Sequence, residues 1–235
     1  MLKLLSASLL ALGAMSAMPA YANIPDGEFL GTVHDTSNAG DWQVKRLGGT
    51  FADGYDWKTP LADPTIPYQD AYNFVHRGWG MPTLWGKSTP WIGAASDGET
   101  GAGYYSYKTT FIDDLSQLGS DQSAELKVLN VIFSVDDYLH AIIVNDVQYD
   151  GIMSPIVVVG SNYPQYEISD IDWNVGGLNT IEFIVRDVGG FAGLSASMQA
   201  TYSVTSVPEP ETYAMLLAGL GVIGAVARRR KVNVN

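Results

Sequence analysis

The run Tyr104–Phe111, YYSYKTTF, decides the fold together with AELKVLNVIFSVDD at 124–137. The first run alternates. Tyr105, Tyr107, Thr109 and Phe111 share one face of an extended chain, and Ser106, Lys108 and Thr110 share the other. In the second, Leu126, Val128, Asn130 and Ile132 alternate with Lys127, Leu129, Val131 and Phe133, and both faces turn apolar from Val128 onward. A strand apolar on both faces needs cover on both, which places it inside a two-layer fold.

Working outward, YLHAIIVNDVQYDG (138–151) and NTIEFIVRDVGG (179–190) are β-rich, with acidic turn points at Asp136-Asp137 and Asn145-Asp146. Glu28–Val33 and Trp42–Leu47 predict two outer strands around the polar turn at 36–41. Ile156–Val159, Tyr166–Ile171 and Ser195–Val204 predict further strands. Residues 51–103 hold five of the eleven prolines and four tryptophans, and no hydrophobic period is sustained there. They read as long structured loops with short strands, tied down by aromatic burial. Eight or more strands without helical periodicity between 23 and 207 predict an all-β protein, a β-sandwich of jelly-roll-like form.

Both ends read as sorting segments. Residues 1–22 open with Lys3, continue in an apolar run and finish on Ala20-Tyr21-Ala22, the small-x-small pattern of a secretory signal peptide. A passenger domain is expected over 23–206, and residues 207–231 form a different kind of segment. There, Pro208-Glu209-Pro210 leads into the apolar run Thr212–Ala227, and Arg228-Arg229-Arg230 closes it. That run is expected to form a single transmembrane helix, with the basic cluster on the cytoplasmic side.

This tail resembles the PEP-CTERM sorting signal of Gram-negative bacteria, through the Pro208-Glu209-Pro210 triplet, the Leu/Gly/Ala-rich helix and the terminal arginines. The resemblance implies an exosortase-type sorting protease as partner. It also implies export through the inner membrane, transient anchoring by the helix, and a final place on the cell surface or in a biofilm matrix. The passenger resembles galactose-binding-like and carbohydrate-binding β-sandwich modules. The similar points are Tyr104–Phe111, Asp136-Asp137 before Ala141–Asn145, and Gly177-Leu178-Asn179-Thr180 before Ile181–Arg186. Where members often carry an Asn-Gly turn, this chain has Asn145-Asp146.

The full chain has a formal net charge of −12, and leaving out the two end segments leaves 23 acidic against 8 basic residues between 23 and 207. Such a field disfavours nucleic acid and anionic polymers and tolerates cations or neutral sugars. There is no cysteine, hence no disulfide framework or thiol chemistry. His34, His76 and His140 are far apart in sequence, with no HExxH or GxSxG motif among the residues around them or elsewhere. No catalytic residue is assigned.

Two candidate sites follow from residue types. Trp79, Trp85 and Trp91 recur every six residues, with Tyr68 and Tyr72 upstream. Flat rings of this kind stack on the apolar face of a sugar, exopolysaccharide included; the alternative is that they plug one end of the sandwich. Asp136, Asp137, Asp146 and Asp150 are hard oxygen donors near strand ends, and calcium is the cofactor they suit; the alternative is that they serve turns. The expected function is therefore non-catalytic, a surface or matrix protein with carbohydrate binding. A self-assembling structural protein and a polysaccharide-acting hydrolase are the other classes.

Overall fold

The structure is a computed structural model that describes residues 26–47, 66–75, 81–149, 165–207 and 210–232. In chain order the strands are β1 (Gly27–Asp35), β2 (Trp42–Leu47), β3 (Gln69–Asp70), β4 (Tyr72–Phe74), β5 (Thr83–Leu84), β6 (Lys87–Ser88), β7 (Trp91–Gly93) and β8 (Glu99–Thr100). They continue as β9 (Gly103–Phe111), β10 (Gln122–Asp136), β11 (Tyr138–Val144), β12 (Val147–Tyr149), β13 (Gln165–Ile168), β14 (Asn179–Asp187), β15 (Gly190–Phe191) and β16 (Gly193–Ser206). Helix α1 spans Pro210–Val232. The signal-peptide segment, Ile156–Val159, His76, Trp79 and Asp150 lie outside the described residues.

Two six-stranded antiparallel sheets form a β-sandwich. The first runs β13-β10-β16-β7-β4, with β1 also paired to β16; the second runs β12-β11-β14-β9-β2-β3. From β9 on, the long strands alternate between sheets, β9, β11 and β14 in the second and β10, β13 and β16 in the first. This back-and-forth is what the doubly apolar strands need, because each exchange of sheet buries another inner face. Trp42, Tyr105, Tyr107 and Phe183 from one sheet meet Leu129, Phe133, Met198 and Tyr202 from the other in one core. Phe133 and Phe183 join across the gap edge to face, centroids 6.0 Å apart.

The inner face of β9 is as expected: Tyr105, Tyr107, Thr109 and Phe111 are buried and Thr110 is exposed. β10 is more complex, because its register against β16 shifts between Leu126 and Val128. Ala124 and Leu126 pack on the core before the shift, and Leu129, Val131, Phe133 and Val135 after it. One extra residue inverts the parity of a strand, so a simple alternation over 126–133 assigns half of it to the wrong face. A second shift, between Leu139 and Ala141, has the same effect in β11. It leaves His140 buried, its ring edge-on to Tyr104 at 5.3 Å. Burial and then the Arg186 charge depress the His140 pKa.

Candidate functional site

The structure separates the acidic turns. β11 has seven residues. Asp136-Asp137 precede it and Asp146 follows it, so a strand of roughly 20 Å stands between them. Asp146 instead belongs to the two-residue hairpin joining Val144 to Val147, where Asn145 (φ 47°) and Asp146 (φ 66°) both take the left-handed conformation. Asp146 therefore does not share one calcium site with Asp136 and Asp137, which corrects that part of the expected grouping; Asp150 lies outside the described residues. Among the described residues no group of three or more His, Asp or Glu side chains is placed to hold a metal ion.

What Asp136 and Asp137 do meet is Asp187. At this corner, where β10 crosses to β11, Asp137 Oδ2 accepts from Val188 N (2.8 Å) and Asp187 Oδ2 accepts from Thr100 Oγ1 (2.9 Å). Burial first, then the Asp137 hydrogen bond and charge and the Asp187 charge, push the Asp136 pKa up to about 8. Burial chiefly raises Asp187 as well.

The expected aromatic platform also disperses. Trp91 is 1% exposed, on the face of β7 opposite the core residue Ile92 and beside Gly193, so it presents no face to a ligand; this corrects its assignment as a stacking residue. Tyr72 is exposed on β4, on the first sheet. Tyr68 is half-buried beside the second sheet, its hydroxyl bonded to Ser106 Oγ (2.8 Å) and Glu182 Oε1 (3.2 Å). Lys45 and Lys108 ammonium groups sit 4.6 and 5.7 Å from its ring centre. Burial drives its phenol pKa up to about 12.

Trp85 differs. It is 37% exposed at the tip of the β5–β6 hairpin, with φ +47° followed by Gly86 at +75°. A bulky side chain in the left-handed region is uncommon and strained by about 1 kcal/mol or more. Asn or Gly would form this turn more easily.

The same hairpin supplies Lys87 to a cleft of about 210 Å³ between the end of β1, the 36–41 turn and β9. His34, Asp35, Ser37, Asn38 and Asp41 line one side, and Lys87, Thr110 and Phe111 the other. The Lys87 ammonium reaches Asp35 Oδ2 at 2.7 Å. Burial favours the protonated Asp35 acid, but hydrogen bonds from Lys87 and Ser37 prevail and lower its pKa. His34 stacks on Phe111, centroids 3.7 Å apart.

A buried relay holds that histidine. His34 Nε2 donates to Asp113 Oδ1 at 3.2 Å, and Tyr202 Oη donates to Asp113 Oδ2. Trp173 Nε1 in turn donates to Tyr202 Oη at 2.9 Å. Burial, then the Asp113 bond, raises the Tyr202 pKa and keeps it a donor. Gly31 makes room: a Cβ there would lie 3.1 Å from the Asp113 carboxylate. With Nε2 committed, Nδ1 is the ring nitrogen left to accept from a ligand. No local pattern announces this set, since His34 and Asp113 are 79 positions apart and Asp113 and Tyr202 are 89. The one signal available was a histidine beside an aspartate, His34-Asp35, at the end of a strand.

At the other end of the chain, α1 begins four residues after β16 and the described side chains from Tyr213 to Gly224 are exposed. Among the described residues no helix is long and apolar enough to cross a membrane. The sequence over this helix and the segment before it matches one known pattern end to end. Residues 206–231 are a PEP-CTERM protein-sorting motif. The PEP-CTERM motif implies export, processing at the C-terminus by an exosortase and delivery to the surface. It covers the expected Pro208, Glu209, Pro210 and Arg228, Arg229, Arg230, and its helix starts at Pro210. No curated protein matches the chain. Among solved structures, a family 35 carbohydrate binding module from an environmental isolate is similar at 12% identity and a TM-score of 0.33, over 63% of this chain and 96% of that one.

Proposed function

We propose that this is an exported, non-catalytic surface or matrix protein, and that its sandwich binds carbohydrate in the cleft between β1 and β9. The observation that carries the reading is the cleft itself. It is of monosaccharide scale and lined by carboxylates, an amide, hydroxyls and an amine, with the His34–Phe111 stack beside them. Sugar hydroxyls need such fixed donors and acceptors, and their apolar C–H faces need flat rings. The relay through Asp113 and Tyr202 sets the His34 ring before any ligand arrives, which reduces the ordering cost of binding. Trp85, strained at the tip of the hairpin that supplies Lys87, is read as a further stacking ring outside the cleft lining; strain of this sort persists where a side chain must be presented. In this reading α1 anchors the precursor in the inner membrane, and the sandwich is released to meet exopolysaccharide.

A glycan array probed with the purified full chain tests it, with and without EDTA, which reads any calcium requirement of the acidic turns. Binding should fall about tenfold or more in His34→Ala and Trp85→Ala, while Trp85→Ala shifts stability by less than about 0.5 kcal/mol. Trp91→Ala, by contrast, should cost about 3–5 kcal/mol of folding stability, as for other core tryptophans. Unchanged binding in His34→Ala would remove the cleft from the assignment, and unchanged binding in Trp85→Ala would remove the hairpin tip. No binding to any glycan, with concentration-dependent assembly, would favour the self-assembling class. For that class the relevant observation is β1, nine residues long, paired to β16 and showing Leu30 and Val33 to solvent. Of the two carboxylates that line the cleft, Asp35 is tied to Lys87 and its pKa is lowered, which does not suit it to protonate a leaving group in hydrolysis.

A further inference from the structure

The charges lining the cleft do not cancel. Lys87 is its cation, and that ammonium is taken by Asp35 at 2.7 Å. Asp41 is exposed, and among the described residues its carboxylate has no ion-pair partner. The backbone around Asp41 is firmly held, with its N–H on Asn38 O (3.2 Å) and its carbonyl accepting from Thr109 Oγ1 (2.8 Å). Asp113 adds a second negative charge behind the His34 ring. Around the cleft stands the field of a chain with 25 acidic and 13 basic residues. A uronate or sulfated sugar would enter against that field, and a neutral sugar would gain nothing from it.

We propose that the cleft selects an amino sugar with a free, protonated amine, the ammonium seated on Asp41. The proposal rests on reading the cleft as a sugar site and specifies the sugar class. The ring hydroxyls then fall to Asn38, Thr110 and His34 Nδ1. A polymer of such sugars, cationic along its length, is also the polysaccharide class that the acidic surface attracts at long range, with association that weakens as salt rises.

Titration calorimetry on the full chain in detergent, with three tetramers, tests this: β-1,4-linked glucosamine, its fully N-acetylated form, and glucose. The glucosamine tetramer should bind about fivefold more tightly than either of the others at pH 6, the size of effect that one partly exposed ion pair produces. That preference should shrink from 50 to 500 mM salt and vanish in Asp41→Asn. Glu125→Gln, an exposed acid outside the cleft, should keep it. If the three tetramers bind equally, or Asp41→Asn keeps the preference, the amino-sugar proposal fails and the sugar-binding cleft stands. If none binds, the reading of the cleft as a sugar site fails with it.

Discussion

Asp136 shows how one residue can answer to its place rather than its type. In a solvated turn it would be an ordinary acid; at the corner it shares a buried space with Asp137 and Asp187, and its pKa rises from 3.8 to about 8. A carboxyl whose folded pKa is raised keeps a proton that the unfolded chain releases. Its contribution to stability is therefore complete below about pH 3.8 and is lost as the pH climbs through about 8. Asp187, raised too, acts in the same direction. Urea or thermal midpoints should thus fall between pH 6 and pH 9, and Asp136→Asn, which never ionises, should flatten that decline. An equally steep decline in the variant would mean that the corner is not its source. Residue identity was legible here, since Asp136-Asp137 stands out in the sequence. Its third member was not, because Asp187 lies at the end of a strand 50 positions on and nothing local marks it.

Among the elements, the β11–β12 hairpin illustrates a turn that the sequence pattern located and whose role the fold decided. Asn145 Nδ2 donates to Asp172 O (2.7 Å) and Asn179 Oδ1 (2.9 Å), and its Oδ1 accepts from Thr180 N (2.8 Å). The buried Asn179 amide bonds back to Asn174 O (3.0 Å) and Gly177 O (3.2 Å), so the Gly177–Thr180 run and the Asn145 turn form one cross-linked corner. Asn145→Ala should therefore cost about 2–3 kcal/mol, the loss of several partly buried hydrogen bonds. Asp146→Gly should do the opposite and stabilise by about 0.5–1 kcal/mol, since glycine takes φ +66° without strain. Thermal unfolding of both variants distinguishes this from a metal-ligand role, in which Asp146→Gly would abolish a calcium-dependent rise in midpoint. Strand positions were legible wherever period-2 patterning was strong, as in β2, predicted and found at Trp42–Leu47. Strand faces were less so: bulges in β10 and β11 invert the alternation, and a bulge depends on the partner strand as much as on its own residues.

For the whole molecule, the sandwich and the sorting tail occupy separate stretches of the chain. The PEP-CTERM motif over 206–231 governs processing, whereas the cleft resides in residues 33–111. Replacing Pro208, Glu209 and Pro210 by Ala should therefore block C-terminal processing in a host with an exosortase. It would be seen as an unshifted precursor on a denaturing gel and retention in the membrane fraction. Glycan binding by the purified precursor should not change. A variant processed at the normal rate would show that the triplet is not what the protease reads here.

The sequence by itself determined the all-β class, the strong strands and the sorting tail. Each rests on local signals: a two-residue period, a change of composition at Val207, and a contiguous motif. Only the tertiary structure decided which aromatics meet water and which acids meet one another. It buried Trp91, left Trp85 at a hairpin tip, and placed Asp146 a strand's length from Asp137. It also brought His34, Asp41, Lys87 and Thr110 to one cleft with Asp113 and Tyr202 behind it. The physical reason is that a site of this kind is made by strands from distant parts of the chain, whose register and bulges set what each side chain faces. Neighbours in sequence do not encode those pairings, and a sheet forms only when both partners are present.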